Sequence, residues 1–254
     1  MKTVFITGGV RNSGLAIADR FARDGYGVAL TSRREDDAQA TAKLLSDRYG
    51  VPVLGFGLDL RSPENIGEVF YQVKDRFDHL DAFVGCSANL GLNNPFLETT
   101  PESFDSVMNV NIRGNFFCAQ EAAKLMMGTG GSILFIGSVH YKGAVYGRAC
   151  YAVSKGAIAS MVHNLAFELA EYGIRVNQIV PGAIRTDRWD GISPEEEARR
   201  RANWPLGIES TPEDIANAVY FLSSEEARTI TGAELAVDSG VLSCLLSYNG
   251  GNHS

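Results

Sequence analysis

The stretch Thr7-Gly8-Gly9-Val10-Arg11-Asn12-Ser13-Gly14 decides the fold. It follows a short apolar run, Thr3-Val4-Phe5-Ile6, and opens a segment of helical period, Ser13–Asp24. A glycine-rich turn between a strand and a helix lets backbone N–H groups approach a pyrophosphate, and the helix N-terminus adds partial positive charge. Gly8, Arg11, Asn12, Ser13 and Gly14 are therefore the first candidate nucleotide-binding residues.

Outward from this turn, short runs rich in Val and Ile alternate with longer segments of helical period, the pattern of a parallel sheet covered on both faces. Strands are predicted at Thr3–Thr7, Val28–Ser32, Val53–Leu58, Leu80–Gly85, Ser132–Ile136, Arg175–Val180 and Leu235–Asp238. Helices are predicted at Ser13–Asp24, Asp36–Arg48, Pro63–Phe77, Arg113–Met127, Tyr151–Tyr172 and Pro212–Leu222, the last signalled by an N1 proline after Thr211. The class is α/β, a doubly wound parallel sheet of about seven strands with helices on both faces. Its ligand is expected beyond the carboxyl ends of the strands, and residues 1–254 are expected to form one dinucleotide-binding and catalytic domain.

A net charge of −7 argues against a nucleic-acid or anionic-membrane surface, which would select for clustered Lys and Arg. No signal-like h-region follows Met1-Lys2, and no apolar run reaches the roughly 18 residues of a membrane span, so a cytoplasmic location is expected. Cys86, Cys118, Cys150 and Cys244 are widely spaced and form neither a C-x-x-C pair nor a His/Cys cluster. Reduced thiols and no metal are expected.

The second predicted strand ends in Thr31-Ser32-Arg33-Arg34, where an NAD-binding fold usually places a carboxylate for the ribose 2′-hydroxyl. Ser32 and Arg33 leave room for a 2′-phosphate instead, and Arg11 offers a second positive charge. NADP(H) is favoured on these residues. NAD(H) stays open, with the arginines as solvated charges and Glu35 or Asp36 at the ribose.

Tyr151 and Lys155 are four residues apart in Tyr-Ala-Val-Ser-Lys, on one face of a helix. An ammonium beside a phenol favours the phenolate, so Tyr151 can exchange a proton with a substrate oxygen. Ser138 ends a predicted strand, where its hydroxyl can hold that oxygen. Asn111 precedes a predicted helix, where its amide either holds a water or a backbone kink, or caps the helix.

Taken together these features resemble the classical short-chain dehydrogenase/reductase family over nearly the whole chain. The resemblance implies a Rossmann-type fold and a catalytic tetrad of Asn111, Ser138, Tyr151 and Lys155. Tyr151 would be the acid/base and Ser138 would orient the carbonyl. Lys155 would also bind the nicotinamide ribose, and Asn111 would support a proton relay. It further implies that Asp59, followed by Leu60, meets the adenine amino group. The loop Pro181-Gly182-Ala183-Ile184-Arg185-Thr186 would touch the nicotinamide carboxamide through the Ile184 backbone and Thr186. A homotetramer is implied as well, pairing the Arg113–Met127 and Tyr151–Tyr172 helices, which carry Phe116, Phe117, Ile158, Met161 and Phe167 on more than one side.

Two departures stand out. Asn12 replaces the middle glycine of the family's turn, and asparagine is one of the few residues that accept positive φ. Gly85-Cys86-Ser87-Ala88 replaces an Asn-Asn-Ala-Gly segment, removing two amides that usually steady the centre of the sheet.

His140, Tyr146 and Trp189 are the candidate substrate-pocket residues. The polar and aromatic character of the Ser138–Tyr151 segment points to a small hydroxylated substrate such as a sugar, sugar acid or polyol. Ser138-Val139-His140 and the tail 241–254 are similar to the glucose 1-dehydrogenase branch. The alternatives are a 3-oxoacyl-thioester or general ketone reductase and, from a different class, a non-catalytic NAD(P)-sensing module. A mobile lid is expected near 186–210, where Ser193-Pro194-Glu195 starts a charged helix between Trp189 and Trp204. The same two tryptophans would serve equally as subunit-interface anchors.

Overall fold

The computed structural model of the chain describes residues 1–244, apart from the side chain of Arg188. The tail expected over 241–254 therefore lies outside the described residues from position 245 on. The strands are β1 (Thr3–Thr7), β2 (Gly27–Ser32), β3 (Val53–Gly57), β4 (Ala82–Gly85), β5 (Gly131–Ile136), β6 (Ile174–Pro181) and β7 (Glu234–Val237). They form one seven-stranded sheet, every pairing parallel, in the order β3-β2-β1-β4-β5-β6-β7. The direction of winding reverses between β1 and β4, so the carboxyl ends of these two strands open the crevice that such sheets offer to ligands.

Among the described residues eight α-helices connect the strands: α1 (Asn12–Arg23), α2 (Glu35–Tyr49), α3 (Pro63–Phe77), α4 (Pro101–Met108), α5 (Asn115–Met126), α6 (Ala149–Glu168), α7 (Pro194–Arg201) and α8 (Pro212–Ser223). Alternation along the strands gives the sheet two buried faces. Val4, Ile6, Leu30 and Leu134 pack with Ile17 and Phe21 of α1 and with Ile215 and Val219 of α8. Phe5, Phe83, Ile133 and Phe135 face the other way, against Phe70 of α3, Cys118 of α5 and Ile158 of α6. Burying an aliphatic or aromatic side chain of this size contributes about 1.5–3 kcal/mol, so the two layers fix the sheet from which the functional loops project.

Most expected elements lie within one or two residues of their predicted bounds. The region before β5 departs most. One helix is predicted there over Arg113–Met127, but α4 and α5 form a continuous helical run joined by a π-helical turn, Asn109–Gly114. Thr100 caps α4 in a capping box with Ser103, and Pro101 occupies its first turn. Leu60 comes so close to this run that a Cβ at Gly114 would sit 2.5 Å from the Leu60 carbonyl oxygen.

Candidate active site

The nucleotide turn is built from backbone and has no room for side chains. A Cβ on Gly14 would lie 2.0 Å from the Gly8 carbonyl oxygen, and one on Gly8 would lie 2.6 Å from Ser87 Oγ. Asn12 adopts positive φ at 49°, the conformation for which asparagine substitutes for glycine. Helix α1 has no side-chain cap and no acidic residue in its first turn. By contrast α3, α4, α7 and α8 are each capped by a Ser or Thr hydroxyl. The open amino end of α1 and the close-packed glycines fit a dinucleotide pyrophosphate, and Gly8, Asn12, Ser13 and Gly14 are the residues that would cradle it.

Beside the turn, Arg11 and Arg33 have no ion-pair or hydrogen-bond partner among the described residues, whereas Arg34 pairs with Asp37 and Arg61 with Asp59. Glu35 accepts a hydrogen bond from Gln39 at 2.8 Å and lies over Gly57, where an added Cβ would be 3.5 Å from its carboxylate. Ser32 Oγ accepts from the Arg34 amide. Both Asp59 oxygens accept from Arg61, which holds the carboxyl below its usual range. An adenine amino group meeting Asp59 would share it with that guanidinium. Leu60 is buried beside Gly114.

Two neighbouring groups stand in for the amides missing from Gly85-Cys86-Ser87-Ala88. Thr7 Oγ1 accepts from the backbone N–H groups of Cys86 and Ser87, each at 3.0 Å. Asn115 Nδ2 donates to the carbonyls of Ser87 and Asn111. The crossing from β4 toward the active site is thus tied to β1 and to α5.

Asn111 is fully buried inside the π-helical turn and does not cap a helix. Its Oδ1 accepts from the Asn89 amide at 2.7 Å, and its Nδ2 donates to the Asn89 carbonyl and to Ser154 Oγ, both at 2.9 Å. Ser154 in turn donates to the Tyr151 carbonyl. A π turn widens the helix at the point where a side chain leaves it to serve a site. In this chain it clamps the loop after β4 to the first turns of α6.

Tyr151, Lys155 and Ser138 meet at the carboxyl end of β5. Lys155 is buried, donates to the Ile136 carbonyl at 2.6 Å and lies 5.5 Å from the centroid of the Tyr151 ring. Desolvation pulls its pKa down from 10.5 to about 8, opposed in part by the nearby Cys86, whose thiol burial pushes up to about 11. Ser138 accepts at Oγ from the His140 amide. The His140 ring meets Tyr151 edge-on, centroids 5.5 Å apart, and burial with the charge of Arg148 keeps its imidazole pKa below the ordinary value. Among the described residues the buried His140 Nδ1 has no hydrogen-bond partner. Tyr146 is 85% exposed at the rim of this region, and Arg148 donates to the Leu90 carbonyl across the opening.

The loop after β6 runs from Pro181 through Thr186. Gly182 donates to the Val237 carbonyl, Ile184 forms a bridge with Ser210, and the Ile184 carbonyl accepts from Trp189 Nε1 at 3.1 Å. Trp189 is buried, 5.7 Å from Trp204 by ring centroids, with the Arg185 and Arg200 guanidinium groups 5.8 and 5.1 Å from its ring. The structure thus packs Trp189 against Trp204 and under the guanidinium groups of Arg185 and Arg200. Both tryptophans are covered by their own chain, and Gly191 and Gly207 bracket the segment with left-handed backbone in open space.

A glycine turn at the open end of a helix after β1, and a Tyr-Lys-Ser constellation after β5, two strands along the same sheet, suit a dinucleotide-dependent enzyme of hydride transfer. A family model described as enoyl-(acyl carrier protein) reductase matches residues 9–242. A 3-oxoacyl-(acyl-carrier-protein) reductase of Aquifex aeolicus is 32% identical over 241 residues, covering 94% of this chain and 97% of that protein. An L-rhamnose-1-dehydrogenase of Scheffersomyces stipitis is 34% identical over 247 residues, covering 94% and 95%. A variant of a Serratia marcescens short-chain dehydrogenase/reductase superposes with a TM-score of 0.87 at 30% identity, covering 95% of this chain and 98% of that one. The chain belongs to the classical short-chain dehydrogenase/reductase family, and it is an NAD(P)-dependent oxidoreductase acting on CH–OH groups. Among the described residues no helix is long and apolar enough to cross a membrane.

Proposed function

We propose that the chain is an NADP(H)-dependent enzyme interconverting a secondary alcohol and a carbonyl, with a sugar, sugar acid or polyol as substrate. The observation that carries the cofactor preference is the pair of unpartnered guanidinium groups, Arg11 and Arg33, beside the nucleotide turn, with Glu35 turned away toward Gln39 and Gly57. Two free charges and the Ser32 hydroxyl suit a 2′-phosphate.

The bound nicotinamide supplies or takes the hydride. Tyr151 exchanges the proton with the substrate oxygen, Ser138 orients that oxygen, and Lys155 biases the phenol toward phenolate while holding the nicotinamide ribose. Asn111 supports the proton relay by fixing the chain around Asn89 and Ser154. The loop containing Pro181, Gly182, Ile184 and Thr186 borders the nicotinamide. The unpartnered Nδ1 of His140, beside Tyr151, favours a substrate bearing hydroxyl groups.

A specific observation favours the second reading, 3-oxoacyl-thioester or ketone reduction. Leu92, Phe96 and Leu97, in the segment between β4 and α4, are 70%, 77% and 93% exposed, an apolar surface suited to an acyl chain. The Aquifex aeolicus relative is named for that chemistry.

NADPH or NADH absorbance with a panel of aldoses, polyols and 3-oxoacyl esters separates these readings. Turnover of sugars or polyols with NADPH is expected. Turnover of acyl thioesters alone would overturn the substrate class, and equal use of NADH would overturn the cofactor preference. We further propose a cytoplasmic homotetramer pairing α5 and α6, in keeping with Phe116, Val153 and Phe167 at 41%, 56% and 86% exposure. Light scattering that gives a monomer at all concentrations would refute the assembly.

A further inference from the structure

Glu209 lies between α7 and α8, outside the tetrad, yet it is among the most buried acidic side chains of the molecule, 8% exposed as a residue. Arg185 Nη1 donates to its Oε1 at 2.6 Å, and Arg201 donates to both of its oxygens at 2.7 and 2.8 Å. Glu197 of α7 holds the same two arginines, Arg185 at 2.6 Å and Arg201 at 2.5 Å. These charges hold the Glu209 carboxyl down at about 2, so it remains ionised throughout the neutral range.

What the network connects gives it meaning. Arg185 stands between Ile184 and Thr186, in the loop read above as the border of the nicotinamide. Arg201 is the last residue of α7, the lid helix, and α7 buries no side chain of its own. The loop and Glu209 are also neighbours in the backbone, where Arg185 N–H donates to the Ser210 carbonyl and Ser210 N–H to the Ala183 carbonyl. Glu209 therefore joins the 184–186 loop, through Arg185, to the end of α7, through Arg201, alongside the direct Arg185–Glu197 pair.

We propose that Glu209 is a positioning residue coupling closure of the lid helix to the loop that receives the nicotinamide. The proposal rests on the reading of residues 181–186 given above. Coupling between two sites is reciprocal, so the nicotinamide end of the cofactor stabilises the closed lid as much as the closed lid stabilises the cofactor.

The test is tryptic cleavage after Arg199, Arg200 and Arg201, with and without ligand. On the native chain, saturating NADPH is expected to slow cleavage about tenfold more than the 2′-phosphorylated adenosine fragment that lacks nicotinamide, a factor within the usual range of coupling. In Glu209→Gln the two ligands should protect equally, while each still binds. A weakened but merely structural contact would raise cleavage by the same factor in all three conditions and keep the difference, which would overturn the coupling. No difference between the ligands on the native chain would overturn the reading of the nicotinamide loop, and the coupling with it. Should Glu209→Gln fail to fold, Arg201→Gln removes the Arg201–Glu209 pair from the part-exposed side of α7 while leaving Arg185 paired, and must shrink the difference; an unchanged difference would overturn the coupling. Arg201→Lys, which keeps a charge toward Glu209, should retain part of it.

Discussion

Helix α6 buries Tyr151, Ser154, Lys155, Ile158 and Val162 against the sheet and the π-helical turn, whereas α7 buries nothing and is held by ion pairs to Arg185 and Glu209 and by cation–π contacts on Trp189. One helix is fixed by packing and backbone hydrogen bonds and the other by charge. Packed interiors move little, and a misplacement of an ångström at the reacting centre is expensive. Partly exposed ion pairs contribute less and yield to salt and to competing ligands. Rigidity thus lies under Tyr151 and Lys155, the groups proposed to serve proton transfer, and the adjustable contacts lie on α7, the proposed lid.

The strongest way to break this comparison is at α6. Tyr151→Phe should reduce turnover by about 10²–10⁴-fold, the usual worth of a positioned acid/base, with NADPH affinity changed by less than about threefold. Turnover by absorbance and binding by nicotinamide fluorescence check both parts, and near-normal turnover would remove Tyr151 from the chemistry. Arg33→Asp is expected to shift the NADPH-to-NADH preference by about 10–100-fold, since it removes a charge-assisted partner and adds a repulsive one. The ratio of kcat/KM values for the two cofactors reads it.

Lys155 gives a pH signature. Its pKa is about 8 in the folded chain against the ordinary 10.5, so between these values the unfolded chain keeps a proton that the folded chain has released. Unfolding free energy should therefore rise with pH across that window relative to Lys155→Met, and the gain should vanish below about 8, where both states are protonated. Urea unfolding at a series of pH values measures it, and a flat difference would mean that the burial cost is absent. The smallest effect belongs to the lid. Raising salt to about 0.5 M should increase KM for substrate about twofold through α7 while leaving the Tm almost unchanged, because screening weakens the exposed pairs and not the cores.

Such contrasts also explain what could be read from the sequence. The turn from Thr7 to Gly14 and the Tyr151–Lys155 pair are local, and their spacing carries their geometry. The capped start of α4 at Thr100-Pro101 is equally local and repeats the signal at Thr211-Pro212, so that helix is legible in the sequence by the same rule. The π turn around Asn111 was not readable, since it depends on a change of hydrogen-bond partner within a helical run and on pairing with Asn89 and Ser154, which only the fold supplies. Thr7 and Asn115, which steady the altered segment after β4, belong to the same group, as do Arg185, Arg201 and Glu209. Each of these contacts joins residues whose types are ordinary for a surface, and only their tertiary placement gives them a function.

Gly191 and Gly207 bracket α7 on left-handed backbone, and a Cβ at either would meet no neighbour, so a side chain there would strain only the ends of that segment. No core residue registers a change at these positions, and neither does the nucleotide turn. The ends of the segment can therefore change without disturbing the sheet, whereas its middle cannot, because Trp189, Trp204, Glu197 and Arg201 are buried in it or tied through it to Arg185 and Glu209.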